Sequence, residues 1–213
     1  MKQQDREDRQ RRARLAERLR EIRREKGLTI QDVASRSGLA ISTVSKIERN
    51  LMAPTYDRFS RLADGLGVDL AELFADSAER FKAGEFAIAR NGESSLHQTD
   101  NYVYEMLFPR LTGKSMVPML GVLKPFEEMK FERLVSHPGE EFFFVLEGRV
   151  IVQAEDRDPV VLEAGESLYF DSRRGHLYAS ADRMPARILV VCTQAEAEDL
   201  VALRTRKGQE IGQ

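Results

Sequence analysis

Leu28-Thr-Ile-Gln-Asp-Val-Ala-Ser-Arg-Ser-Gly-Leu-Ala-Ile-Ser-Thr-Val-Ser-Lys-Ile-Glu-Arg-Asn50 encodes two short helices with only a few residues between them. Thr29, three residues before Asp32, is a capping-box variant in which each side chain satisfies a free amide at a helix start. Val33 and Ala34 give this helix its apolar positions, and Gly38 ends it. The next helix reads Ile41-Ser-Thr-Val-Ser-Lys-Ile-Glu-Arg49 and buries Val44 and Ile47. Its opposite face carries Ser42, Thr43, Ser45 and Lys46. Short or flexible polar groups on a helix held by two apolar residues suit the DNA major groove, where backbone and bases approach closely.

On either side of this pair the helical spacing continues. Leu15, Leu19 and Ile22 form a stripe on a helix ending before Gly27; Phe59, Leu62, Ala63 and Leu66 form another; Leu70, Leu73 and Phe74 form the last. The spacing therefore predicts five short helices over residues 10–74. After Gly84 the period changes. Tyr102 to Phe108, Met116 to Leu123, Glu141 to Leu146, Arg149 to Gln153, Ser167 to Phe170 and Arg187 to Cys192 read as strands. Pro109, Gly113, Pro125, Gly139, Gly148, Gly165 and Pro185 punctuate them, a pattern that predicts an all-β sandwich or barrel over 85–193. Residues 75–84 read as a linker, and 194–213 as a polar tail starting with a short helix.

The 213 residues carry a net charge of -2, which conceals an asymmetry. Residues 1–58 hold 15 Lys+Arg against 9 Asp+Glu, while the remainder holds 18 against 26. A basic first quarter on an acidic remainder points to an anion-binding module, a solvated salt-bridged helix being the plainer alternative. The single cysteine, Cys192, excludes an internal disulfide framework and fits a reducing cytoplasm. The start Met1-Lys2-Gln3-Gln4-Asp5 is too charged for a secretory signal, and no apolar run approaches the ~20 residues of a membrane span.

The stretch 28–50, followed by Pro54-Thr55 and Leu62-Ala-Asp-Gly-Leu-Gly-Val68, resembles the phage-repressor-type (XRE) helix-turn-helix family. The likeness spans about residues 13–74 and implies a five-helix, lambda-repressor-like domain that binds an operator in double-stranded DNA. It implies that Ile41, Ser42 and Lys46 face base edges and that Thr29, Thr43, Arg49 and Thr55 approach phosphates. It also implies a buried pair between Arg23 and Glu48. Two positions depart from the pattern. Ala40 stands where a capping Ser or Thr is usual, and Asn50 replaces a glycine, although asparagine tolerates the left-handed conformation.

In the β half, chemistry concentrates on His137, Glu141 and His176. Strand positions of equal parity share a face, so a continuous strand would turn 135, 137, 141, 143 and 145 inward. His137 and Glu141 then converge, and a later strand can bring in His176. Two histidines and a carboxylate can hold Zn²⁺, Fe²⁺ or Mn²⁺ with positions left open. The alternative is hydrogen bonding around an organic ligand. Arg133 shares that parity and would suit a ligand carboxylate or phosphate, unless it is a surface arginine beside Glu132. Tyr102, Tyr104 and Phe108 are core residues or ligand walls.

Over about residues 85–193 the pattern resembles the cupin fold, a small β-barrel of jelly-roll type. It keeps the second histidine of the first cupin motif (His137), its glutamate (Glu141) and its glycine (Gly148). Val135 stands in place of the first histidine. His176 matches the histidine of the second motif, with Gly175 where a proline is expected. Metal-binding cupins usually offer three histidines and one glutamate.

The combined reading is an α plus all-β two-domain chain: a DNA-binding transcriptional regulator, not an enzyme, whose cupin senses a small-molecule effector. A cupin metalloenzyme of dioxygenase or isomerase type with a DNA-binding arm is the alternative. The missing histidine, and the lack of any acid/base set beyond these residues, argue against it. Phe142, Phe144 and Leu146, on the outward parity, form an apolar stripe that predicts a homodimer.

Overall fold

The computed structural model describes residues 2–74, 79–99, 101–130 and 134–193. The tail at 194–213, residues 75–78 of the expected linker, and Arg133 lie outside them. Helices come first: α1 (Lys2–Glu25), α2 (Ile30–Ser37), α3 (Ile41–Glu48) and α4 (Tyr56–Leu66). The expected fifth helix is a four-residue 3-10 turn, Leu70–Leu73, capped at both of its first amides by Asp69 and Glu72. Four residues are too few for an α-helix, so the stripe is real and the helix type differs.

Local chemistry explains the boundaries. The Thr29 hydroxyl accepts from the Asp32 amide at 3.1 Å, and the Asp32 carboxylate accepts from the Thr29 amide at 2.7 Å. Gly38 closes α2 at φ 66°, and Asn50 follows α3 at φ 56°. Leu15, Leu19, Ile22, Val33, Val44, Ile47, Phe59 and Leu62 meet in one buried cluster, which uses the apolar stripe of every helix.

The second half is β throughout: β1 (Glu79–Arg80), β2 (Ser95–Gln98), β3 (Tyr102–Met106), β4 (Leu111–Thr112), β5 (Met116–Leu123), β6 (Glu140–Glu147), β7 (Arg149–Ala154), β8 (Val160–Glu163), β9 (Ser167–Asp171), β10 (His176–Ser180) and β11 (Ala186–Thr193). A six-stranded sheet in the order β2-β3-β5-β11-β6-β9 faces a three-stranded sheet in the order β10-β7-β8. Strand β3 stops at Met106, short of the expected Phe108, because Phe108 takes φ 52° ahead of Pro109. Part of the expected linker is itself structured, since β1 pairs in parallel with β4.

The inward set of β6 is the expected one: Glu141, Phe143 and Val145 are buried, while Phe142 and Phe144 are half-buried and Leu146 is exposed. The strand is not continuous back to 135, however. Gly139 breaks it at φ 101°, where any Cβ would fall 2.5 Å from Thr193 Oγ1. His137 still arrives on the inner side, because its amide bonds to Ser172 O and Val135 pairs with His176 across an isolated bridge. Among the described residues, no helix is long and apolar enough to cross a membrane.

Candidate functional site

Helix α3 offers an outward face. Ile41 is 51% exposed, Ser42, Lys46 and Arg49 are exposed, and Thr43 is half-buried beside them. Val44 and Ile47 anchor the other side at 1% and 2% exposure. Thr29 is exposed at the start of α2, its hydroxyl donating to Asp32 at 2.6 Å. The implied ion pair is present: Arg23 Nε and Nη2 reach the two Glu48 oxygens at 2.6 and 2.9 Å, and Arg23 Nη1 donates to Leu28 O. Ala40 provides no side-chain cap, as its methyl group dictates.

Thr55 is the predicted DNA contact that sits elsewhere. It lines a pocket at the barrel with Tyr56 and Asp57, and its hydroxyl donates to the Asp57 carboxylate. From the β side the same pocket is walled by Tyr102, Tyr104, Val135, His137, His176, Leu177 and Tyr178. The helical and β parts are therefore joined across it. Arg61 donates to Ser136 O at 2.9 Å, His97 Nε2 donates to Pro54 O at 2.8 Å, and the Gly113 amide donates to Asp69 at 2.7 Å.

The structure brings together the three predicted residues His137, Glu141 and His176, at 4%, 1% and 2% exposure. His137 Nε2 lies 3.0 Å and His176 Nε2 lies 3.7 Å from Glu141 Oε2. Tyr104 is a buried pocket wall, as is Tyr102, whereas Phe108 is not among the lining residues. Burial alone would raise the Glu141 carboxyl, but the His137 hydrogen bond and the charges of both imidazoles bring it below its ordinary value. Burial holds the His176 imidazole below its own, against the pull of Glu141. The departure at Gly175 has a local reason: its amide donates to Glu155 at 3.3 Å, a bond proline cannot make.

Two participants were not foreseen. Cys192, 1% exposed, faces Glu141 Oε2 with Sγ at 3.5 Å. Tyr56 reaches in from the start of α4, its ring edge-on to His137 at 5.1 Å. Burial drives both the thiol and this phenol well above their ordinary values. The alternation Ile188, Val190, Cys192 carries a signal for the cysteine's inward direction. No local pattern in the sequence signals Tyr56, because its role depends on how α4 meets the barrel.

Residues 19–73 match the helix-turn-helix family and residues 125–192 match the cupin domain family. The chain is 26% identical over 172 residues to the HTH-type transcriptional regulator PuuR of Escherichia coli, covering 81% of this chain and 90% of that protein. Over 58 residues it is 41% identical to the uncharacterized HTH-type transcriptional regulator y4dJ of Sinorhizobium fredii, 27% of this chain and 75% of that one. The crystal structure of an HTH_3 family transcriptional regulator from Vibrio cholerae shares the fold, with a TM-score of 0.64 at 22% identity over 89% of this chain and 99% of the other. With an exposed, buttressed α3 in front and a cupin barrel behind, the chain belongs to the XRE-type helix-turn-helix transcriptional regulators that carry a C-terminal cupin domain.

Proposed function

We propose that the chain is a homodimeric, sequence-specific operator-binding regulator of the cytoplasm, and that a small-molecule effector acts on it through the cupin pocket. One observation carries this reading. Thr55, Tyr56 and Asp57, which begin the helix after α3, form part of the wall of the barrel pocket. A ligand entering there has to contact or displace them, and so bears on the placement of the DNA-reading helix. In this reading Ile41, Ser42 and Lys46 address base edges, while Thr29, Thr43 and Arg49 approach phosphates. Thr55 belongs to the pocket when the two parts are docked. The barrel acts as a sensor and not as an enzyme, in keeping with the regulators that the chain resembles over most of its length.

The test is a mobility-shift titration against an operator selected from random duplexes, with a scrambled duplex as reference. Lys46→Ala weakens operator binding by roughly 1–3 kcal/mol and leaves the reference unchanged. Arg49→Ala weakens both alike and shallows the salt dependence. Variants that bind both duplexes as the parent does would remove α3 from the interface.

Pairing follows from the outer sheet face, where Phe142 and Phe144 are half-buried, Leu146 is 38% exposed and the neighbouring Tyr169 is 63% exposed. An apolar stripe of this kind is normally covered by a partner surface, and two-fold pairing would set two copies of α3 on half-sites a whole number of ~10 bp turns apart. Sedimentation of the full chain at tens of micromolar is expected to give a dimer that Phe144→Glu converts to monomer. A monomeric parent would refute the pairing.

A further inference from the structure

We infer that the barrel binds a divalent metal through His137, Glu141 and Cys192, with the Cys192 thiolate serving in place of the histidine missing at Val135. The inference deepens the sensor reading above, on which it rests only for the consequence at the DNA.

The first ground is a surplus of acceptors. His176 Nδ1 lies 2.8 Å from Arg174 O, and a carbonyl can only accept, so that nitrogen carries the ring proton. In the neutral ring, Nε2 then presents a lone pair toward Glu141 Oε2, itself an acceptor. His137 meets the same conflict. Its Nδ1 faces Pro138 O at 3.3 Å while its Nε2 faces the carboxylate at 3.0 Å. Meeting both contacts takes a second proton on the ring, or a cation in that proton's place. Glu141 Oε1 is buried and has no hydrogen-bond partner among the described residues. An imidazole, a carboxylate and a sulfur thus form one buried cluster, with the His176 imidazole beside Glu141.

The second ground is distance. One ligand atom each from His137, Glu141 and Cys192 lies within 4.8 Å of the others, and all three residues are buried. At Zn–N and Zn–O lengths of about 2.0–2.1 Å, the edges of a tetrahedron come to roughly 3.4 Å, slightly longer where sulfur is involved. The observed 3.0 and 3.5 Å separations of His137 Nε2 and Cys192 Sγ from Glu141 Oε2 lie close to that edge. Both histidines are also oriented as metal ligands usually are, with Nδ1 on a backbone carbonyl and Nε2 turned toward Glu141.

The third ground is donor type. A thiolate among imidazole and carboxylate favours Zn²⁺, Co²⁺ or Fe²⁺ over Mg²⁺ and Mn²⁺. Cys192 binds as the thiolate and its proton leaves to solvent when the metal enters. Tyr56, whose ring packs edge-on against His137 at 5.1 Å, sets the start of α4 beside the same cluster.

Co²⁺ is the probe, added to the metal-stripped full-length protein. One equivalent should bind and give a near-ultraviolet thiolate-to-cobalt band that Zn²⁺ abolishes by displacement. Cys192→Ser should lose the band and weaken Co²⁺ by about tenfold or more, the floor set by what outer-shell substitutions alone cost. Circular dichroism of the variant checks that it folds, and His137→Gln provides a second ligand deletion with the same expected weakening. Co²⁺ bound without the band, equal affinity in Cys192→Ser, or no binding to the parent would each overturn the inference. Operator affinity, measured with and without Zn²⁺ on the same samples, separates the two readings. Intact operator binding by a parent that takes no metal defeats the metal site and leaves the regulator standing. A bound thiolate-ligated metal with no operator binding upholds the site and defeats the regulator.

Discussion

Glu48 is 6% exposed at the last turn of α3, and its carboxylate is gripped by two nitrogens of Arg23 while Arg20 takes its carbonyl at 2.6 Å. A bidentate pair so placed fixes the DNA-reading helix against α1 with little rotational freedom. The hydrogen bond that Arg23 donates to Glu48 accordingly raises the guanidinium above its ordinary value. Glu48→Ala strands the Arg23 charge against apolar neighbours, and breaking a buried pair from one side costs on the order of 3 kcal/mol. A urea titration followed by circular dichroism is expected to show the midpoint falling at unchanged slope. A loss below a few tenths of a kcal/mol would mean the pair is solvated and structurally idle.

Helix α3 begins without a side-chain cap: Ala40 sits at φ −65°, ψ 142°, the extended geometry a capping residue needs, but its methyl accepts no amide. Ala40→Ser is therefore expected to stabilise the protein by about 1 kcal/mol, read as a rise in urea midpoint; no gain would show that solvent already satisfies those amides. This helix shows what was legible in the sequence. Caps and stripes are local, so Thr29–Asp32, Gly38, Asn50 and the pairing of Val44 with Ile47 could be read directly, as could the inward parity of Glu141, Phe143 and Val145; His137 lies beyond the break at Gly139 and is brought inward by the Val135–His176 bridge. Elements lacking a local pattern could not be read. All five residues of β10 are buried, so Leu177 to Ser180 show no alternation, and β8 is mostly exposed although it reads Val-Val-Leu-Glu. Cys192 joins the site only through the pairing of β11 with β6, and Tyr56 only through docking, both contacts distant in sequence.

At the scale of the molecule, the helical part and the barrel are latched by His97. The histidine projects from β2, donates Nε2–H to Pro54 O, and packs edge-on against Phe59 at 4.4 Å and Phe74 at 6.4 Å. Burial, with a smaller push from the Arg12 charge, lowers this imidazole to about 4, against 6.5 in an unfolded chain. Between those values the unfolded state holds the extra proton, so stability rises with pH through the window and is lost as pH falls from 6.5 toward 4. The full shift corresponds to at most about 3 kcal/mol. Asp64 works in the opposite sense, its carboxyl raised to about 6 by burial, so it takes up a proton when folded and masks part of the acid loss. Comparing the parent with His97→Gln, which keeps an N–H for Pro54 O but cannot titrate, cancels the Asp64 contribution. The parent is expected to lose stability relative to the variant on going from pH 6.5 to 4, with the two urea midpoints holding a constant separation above pH 7. Parallel profiles across the whole range would show that His97 keeps access to solvent and that the joint between the DNA-reading helices and the barrel is looser than its distances imply.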